Sequence, residues 1–338
     1  MDTKLKAFFK GKRILVTGGT GSIGAVIVRE VLRYSPKIVR VLSRDAGKQS
    51  ALEDVSTSKK VRYILGDIRD QDRVLMACED IDIIFHAAAF KFVPQGEYNP
   101  FEVIQTNVIG TQNLIQATLR TPSVTHFVMI STDKAVEPVN TMGASKLLAE
   151  RLVSAAHFIK GKKRKVFTTV RFGNVLGSRG SVLPLFREQL RSGALTLTHP
   201  DMRRFFMTIP EAANLVFTAA EGAHGGEIFV LKMPAVAIKD LATVFGKMET
   251  GHAIPLKFGG IRAGEKIHEA LLSSAEARSS LETKRHFIII PQVSPSGFAR
   301  EFSYPGARPL SSVAYDTRHA PLLSEDGIRT LIKRALAT

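Results

Sequence analysis

A single cysteine, Cys78, stands in 338 residues, which excludes an internal disulfide and cannot by itself hold a zinc ion. Long apolar runs are missing too: the longest, such as residues 81–90, are strand-length and fall short of the ~20 residues a membrane helix needs. Residues 1–11 alternate Lys with apolar side chains and lack the apolar core of a signal peptide. There is no internal repeat and no low-complexity stretch, and the nine histidines are dispersed rather than set at metal-ligand spacing. These absences point to a cytoplasmic protein with no metal site. The remainder is ordinary globular composition, 44% hydrophobic and 23% charged, in a chain long enough for one large α/β unit or a nucleotide-binding domain with a smaller lobe.

Charge is one-sided, with a net +16 that admits nucleic acid, an anionic membrane or a polyanionic small substrate. The densest basic run, Lys160-Gly161-Lys162-Lys163-Arg164-Lys165, has no interleaved aromatics and reads as a solvated turn. The other basic residues are scattered, so neither a nucleic-acid face nor a membrane patch is expected. A dinucleotide together with a nucleotide diphosphate would use several of them.

What recurs is an alternation of short β-branched runs (13–17, 37–43, 61–67, 81–88, 126–132 and 165–175) with helix-length segments such as 23–34, 100–119 and 142–158. Strands that are nearly continuous apolar runs, separated by helices, predict a parallel sheet covered on both faces. The alternation weakens after Gly177, where Pro184, Pro200, Pro210 and several arginines suggest a second lobe. The expected fold is α/β: a Rossmann-type doubly wound sheet over 1–177, and a smaller substrate-binding lobe over 178–338 from which some segments return to the first domain. In that second part 227–231 reads as a strand, and 238–247 and 265–272 as helices; beyond Ser294 the Pro- and Ser-rich tail gives no clear element.

The first strand runs into Thr17-Gly18-Gly19-Thr20-Gly21-Ser22-Ile23-Gly24 and then a helix. Glycines 18, 21 and 24 permit a tight turn, close backbone approach to a pyrophosphate, and close packing of helix on sheet. The helix N-terminus then turns amide groups and its positive dipole end toward that pyrophosphate. The second strand ends Leu42-Ser43-Arg44-Asp45, with Lys48 following. A hydroxyl, a guanidinium and an ammonium suit the 2′-phosphate of NADP, while Asp45 keeps NAD open. Asp67-Ile68 stands where an adenine-contacting pair would sit, the plain alternative for Asp67 being a helix N-cap.

The fifth strand ends in Ser131-Thr132-Asp133-Lys134, and the next helix carries Met142-Gly143-Ala144-Ser145-Lys146. With the glycine turn, His86-Ala87-Ala88-Ala89, Asn107 and Lys146, the chain resembles an extended short-chain dehydrogenase/reductase. Ser131-Thr132-Asp133-Lys134-Ala135-Val136 narrows the resemblance to nucleotide-sugar 4,6-dehydratases, and most nearly to the UDP-N-acetylglucosamine 4,6-dehydratases of bacterial surface-glycan pathways. Lys91-Phe92-Val93-Pro94, the segment 173–181, the segment 199–208 and Gly260-Ile261-Arg262-Ala263-Gly264-Glu265-Lys266 match the same group, over about residues 10 to 275.

The resemblance implies a lyase that oxidises carbon 4 of a UDP-N-acetylhexosamine, eliminates water across carbons 5 and 6, and returns the hydride to carbon 6 of the sugar through bound NADP. It implies that Gly18, Thr20, Gly21, Ser22, Ile23 and Gly24 hold the cofactor, with Ser43, Arg44, Lys48, Asp67 and Ile68 around its adenosine end. Ala87, Ala88, Lys91, Ser131, Lys146 and Val175 complete that site. Lys91, Thr132, Asn174, Ser181 and Val182 would meet the substrate, as would Thr196, Arg203, Arg262 and Glu265. Arg203, Arg204 and Arg262 are candidates for the diphosphate, since planar guanidinium groups match phosphate oxygens. A homo-oligomer is expected, a hexamer being one form the resemblance implies.

The chemistry falls on Asp133 and Lys134. Lys134, if desolvated and lowered in pKa, would take the carbon-5 proton, and Asp133, raised by burial, would protonate the leaving hydroxyl. Lys146 would hold the nicotinamide ribose. Met142 departs from the wider superfamily, where a tyrosine acts as base; a thioether takes no proton, and none of the five tyrosines is near it in sequence. Thr132, a water or Asp133 could transmit the hydroxyl proton instead. The competing readings are a UDP-N-acetylhexosamine 4-epimerase, a dehydratase that inverts carbon 5, and an inactive NADP-binding protein. His86, on an apolar strand, is expected to be a satisfied core residue.

Overall fold

The computed structural model of the chain describes residues 2–55, 58–178, 180–291, 302–311 and 314–337. Six strands, β1 (Arg13–Thr17), β2 (Ile38–Ser43), β3 (Val61–Leu65), β4 (Ile83–His86), β5 (His126–Thr132) and β6 (Val166–Phe172), build a parallel sheet in the order β3-β2-β1-β4-β5-β6. Their burial follows from their composition: all four residues of β4 and six of the seven in β6 are buried, as befits strands covered on both faces. The helices between them supply the cover. Helix Ser22–Leu32 packs with Ile209–Gly222 on one face, and Gly110–Arg120 packs with Gln71–Cys78 and Thr141–Ile159 on the other. The strand order reverses beside β1, and in open α/β sheets this switch point is where the carboxyl ends of the strands leave a crevice.

The sheet continues past β6. Ile228–Leu231 joins β6 in parallel; His286–Ile289, Ser280–Glu282 and Arg308–Pro309 then extend it antiparallel to ten strands. Segments late in the chain therefore do return to the first sheet. A separate core of Leu176, Leu183, Phe186, Leu197, Phe206 and Phe245, among others, lies under helices Val182–Gln189, Ile238–Thr250 and Glu325–Leu336. This is the lobe that closes over the carboxyl ends of the sheet.

Three expectations need correction. Residues 265–272 do not form a helix. Ala270–Leu272 is instead a strand against Tyr315–Asp316, and the stretch before it gives its carbonyls to side chains from elsewhere. Asn140 donates to the Gly264 carbonyl, and Arg204 to those of Lys266 and Ile267, so these oxygens are unavailable to a helical ladder. The expected strand 165–175 is split: β6 ends at Phe172, and Asn174–Val175 pairs instead with Arg203–Met207 of the lobe. The expected helix 100–119 is interrupted by a π turn at Gln105–Ile109. Of the tail beyond Ser294, which gave no clear element, residues 295–301, 312, 313 and 338 lie outside the described residues, while Arg308–Pro309 and Tyr315–Asp316 are strands and Glu325–Leu336 a helix.

Candidate active site

The cleft begins at the turn after β1. Gly18 has φ +65°, and a Cβ there would lie 2.6 Å from the backbone of Ala88 at the end of β4, so only glycine fits the conformation and the space. A Cβ at Gly24 would meet the Gly18 carbonyl at 2.2 Å, which is how closely the helix packs on the turn. Gly21 is the N-cap of helix Ser22–Leu32 and has no side-chain cap bond, so the helix dipole faces the cleft unmasked by a capping side chain. Such a cradle fits the pyrophosphate of a dinucleotide.

Thr20, Gly21, Ser22, Ile23 and Gly24 line a cavity of about 810 Å³, into which Arg44, Lys48, Ala87, Lys91, Ser131 and Val175 also face. Gly18 and Ala88 sit behind that surface as its support. Ser43 is also behind it, its hydroxyl 2.8 Å from that of Thr20. Of the three groups proposed for a 2′-phosphate, then, Arg44 and Lys48 reach the cavity and Ser43 holds the turn. Arg44 lies 3.6 Å from Asp67, and Lys48 pairs with Asp45. Asp67 is not a helix N-cap: Asp70 caps helix Gln71–Cys78, while Asp67 accepts from the Arg69 backbone and guanidinium. Ile68 is buried against Gly110, away from the cavity wall.

The end of β5 forms the floor. Thr132, Lys134, Met142 and Lys146 all face the cavity. Met142 and Lys146 are brought together because residues four apart share one face of a helix. Lys146 donates to the Ile130 carbonyl at 2.6 Å, and burial pushes its ammonium down to about 8. Asp133 is fully buried and does not reach the cavity. One of its oxygens, Oδ1, accepts from the Thr132 hydroxyl at 2.9 Å and from Lys134 Nζ at 3.0 Å, and Oδ2 is buried with no hydrogen-bond partner among the described residues. The pair is thus not an exposed one: Asp133 is buried and Lys134 half-buried at the cavity wall.

Lys134 also corrects an expectation. Burial alone would lower its pKa, but the carboxylates of Asp133 and Glu269 more than reverse that, and the ammonium is held above its ordinary range. Sequence reasoning missed Glu269, which lies 3.5 Å from Lys134 Nζ and 3.9 Å from Arg204. The signal was hidden because 265–272 was read as a helix, which gave Glu269 no reason to face β5.

From the lobe, Asn174, Ser181, Val182, Thr196, Arg262 and Glu265 line the same cavity. Arg179, inside the matching segment 173–181, lies outside the described residues. Arg203 and Arg204 are neighbours on one strand, where alternate side chains point to opposite faces. Arg204 faces the cavity; Arg203 does not, and donates to the Arg318 carbonyl. Of Arg203, Arg204 and Arg262, the last has no side-chain bond to a backbone carbonyl among the described residues; it is exposed at the rim and 4.0 Å from Glu265. His86 is a satisfied core residue, 2.8 Å from Thr17 Oγ1 and 3.0 Å from Thr111 Oγ1; burial pushes it down to about 3. Asn107 ties the π turn to the site, holding both backbone groups of Phe90 and the Ser145 hydroxyl.

A parallel sheet with a glycine turn at its switch point, and a lysine-bearing helix beside the turn, define an enzyme of the extended short-chain dehydrogenase/reductase kind. The chain belongs to the polysaccharide biosynthesis protein family, whose model matches residues 14–291. It is 47% identical over 98% of both chains to an uncharacterized membrane protein of Methanocaldococcus jannaschii. It is 41% identical, over 84% of each chain, to the UDP-N-acetylglucosamine 4,6-dehydratase (inverting) of Campylobacter jejuni. A UDP-glucose 4-epimerase of Rickettsia bellii is 39% identical over 83% of each chain. Among solved structures, that of Pen from Bacillus thuringiensis superposes with a TM-score of 0.91 at 41% identity, covering 98% of this chain and all of that one. In this protein no helix among the described residues is long and apolar enough to cross a membrane.

Proposed function

We propose that the protein is an NADP-dependent UDP-N-acetylglucosamine 4,6-dehydratase, giving a UDP-4-keto-6-deoxy-N-acetylhexosamine for surface-glycan synthesis. The observation that carries this reading is the Asp133–Lys134 pair behind the end of β5, with Lys134 facing the same cavity as the glycine turn and Lys146. A 4-epimerase moves a hydride on and off carbon 4 and needs no acid–base pair for carbons 5 and 6. The similarity to the Campylobacter dehydratase supports the same choice, and the similarity to the Rickettsia epimerase makes epimerisation the reading to be excluded.

The nicotinamide, when bound, supplies the acceptor and later the donor of the hydride. The chain's own residues manage protons and position. The glycine turn and the N-terminus of helix Ser22–Leu32 hold the pyrophosphate, Arg44 and Lys48 the 2′-phosphate, and Lys146 the ribose. Met142 packs beside the sugar site without taking a proton. The proton of the 4-hydroxyl leaves through Thr132, whose Oγ1 already donates to Asp133 Oδ1. Because Asp133 does not touch the cavity, it returns that proton to the departing 6-hydroxyl by the same hydroxyl group. Lys134 takes the carbon-5 proton, which the 4-keto group has acidified, and the proton of the 4-hydroxyl thus ends on the water released. Arg262 and Glu265 at the rim, with Asn174 and Ser181, hold the UDP end.

Self-association belongs to the same reading. Tyr98, Phe101, Ile104, Ile109 and Leu148 are exposed on helices packed against one another, an apolar band of the kind that marks a protein interface.

The test is redox balance. Purified protein given UDP-N-acetylglucosamine and catalytic NADP is expected to form a product lighter by one water while NADPH absorbance stays flat. Growth of NADPH in step with product would show a simple dehydrogenase, and a product of unchanged mass an epimerase.

A further inference from the structure

To act as the base for carbon 5, Lys134 must first shed a proton. A base must offer a lone pair, yet Lys134 sits as an ammonium between two carboxylates, Asp133 at 3.0 Å and Glu269 at 3.5 Å. Asp133 is already engaged: its Oδ1 serves both Thr132 and Lys134, and in the dehydratase reading it receives the 4-hydroxyl proton, although its Oδ2 is, like Glu269 Oε2, buried with no hydrogen-bond partner among the described residues. Glu269 is only 3% exposed, and its Oε2 is buried with no hydrogen-bond partner among the described residues. A dry, half-satisfied carboxylate is costly as an anion and less so as a neutral acid. Its backbone is fixed, since Glu269 N donates to Thr317 Oγ1 at 3.1 Å and Thr317 N returns to the Glu269 carbonyl at 2.9 Å.

We propose, resting on the dehydratase reading, that Glu269 is the internal acceptor of the Lys134 proton, a positioning residue that makes Lys134 a base without releasing a proton to solvent during turnover. One N–H bond of the ammonium breaks and one O–H bond forms on Glu269 Oε1, leaving an amine beside a neutral carboxyl. The amine takes the carbon-5 proton as the electron pair of that C–H bond moves into the 4-keto system. When hydride has returned to carbon 6, Lys134 gives carbon 5 one of the three hydrogens its nitrogen then carries, two of which had equilibrated with solvent before substrate bound, and takes up the proton held on Glu269. No outside acid or base enters.

The charges around Glu269 agree with a proton held within the pair. Burial raises the Glu269 carboxyl, with Lys134 lowering it and Asp133 raising it further; Arg204 and Lys266 face it as well. Asp316, on the strand paired with Ala270–Leu272, is committed to Arg318 and His319. Glu269 and Lys134 are both shifted upward, so together they keep one proton to higher pH than either would in water.

The experiment follows deuterium uptake at carbon 5 of UDP-N-acetylglucosamine against pH, in wild type, Glu269→Gln and Glu269→Asp. Wild type is expected to be flat through the neutral range, because the pair carries its proton internally. Glu269→Gln should lose roughly 100-fold or more at pH 7, the scale of one acid–base group, and rise about tenfold per pH unit as Lys134 must lose its proton to solvent. Glu269→Asp, keeping the carboxyl, should be slower but flat. Equal, pH-independent losses in both variants would reduce Glu269 to a structural role and overturn the proposal. Nitrogen-15 NMR of labelled lysine gives a second reading that does not depend on substrate: Lys134 should titrate at lower pH in Glu269→Gln than in wild type. An unchanged titration would overturn the proposal even if the functional reading fails. Absence of any dehydration by the wild type, by contrast, would count against the functional reading.

Discussion

Lys134 is the proposed base for carbon 5, and its surroundings set what its loss should do. Lys134→Gln keeps length and some hydrogen bonding but offers no base. Cofactor and UDP-sugar should still bind, since the glycine turn, Lys146 and the lobe are untouched. Dehydration should fall by roughly 100- to 10,000-fold, the usual worth of general acid–base catalysis. Equilibrium binding measured beside product formation checks this, and near-normal dehydration would move the base elsewhere. Arg44 answers a separate question. Exposed and only loosely tied to Asp67 at 3.6 Å, it can turn to a 2′-phosphate. Arg44→Ala should weaken NADP by roughly tenfold or more, the scale of one charge-assisted hydrogen bond, and leave NAD little changed. Equal effects on both dinucleotides in a calorimetric titration would remove the NADP assignment.

At the scale of elements, the local signals carried far in the first half of the chain. Strand β5 has the bounds its β-branched run implied, and the glycine turn sits between strand and helix where its spacing required. The second half was less legible because its elements are fixed by distant partners. Ala270–Leu272 is a strand because Tyr315–Asp316 lies beside it, and nothing within 265–272 records that. Glu269 and the burial of Asp133 were invisible for the same reason: both depend on the lobe folding back onto β5. Arg171 in β6 makes the point again. It is fully buried and holds Glu150 of helix Thr141–Ile159 at 2.6 Å and Glu276 at 2.8 Å, so it ties the sheet to that helix and to the turn of helix Ser274–Ala277. Arg171→Met should cost about 3–5 kcal/mol by leaving two carboxylates buried without a cation. Burial raises the Glu276 carboxyl, but Arg171 pulls it down further, below its ordinary 4.5. Its contribution is therefore present above that value and lost as pH falls through the lower folded one. Thermal melting at neutral and acid pH would show the gap between wild type and variant narrowing in acid; a variant as stable as wild type at pH 7 would contradict the argument.

The whole molecule places a strongly basic chain, at net +16, around a cleft that would hold two diphosphates. It also exposes Tyr98 at 88% and Phe101 at 65% on neighbouring helices, side chains that the proposed self-association would cover. Light scattering should find an oligomer, and Phe101→Glu should shift it toward the monomer; a monomeric wild type would remove the self-association reading. In the proposed reaction one cleft oxidises carbon 4, eliminates water across carbons 5 and 6, and returns its hydride. Proton NMR of the reaction with UDP-N-acetylglucosamine in deuterated water follows all three steps at once. A new 6-methyl signal, deuterium at carbon 5 and no build-up of NADPH are expected. A product that keeps its 6-hydroxyl and its carbon-5 proton and differs only at carbon 4 would contradict the proposed reaction.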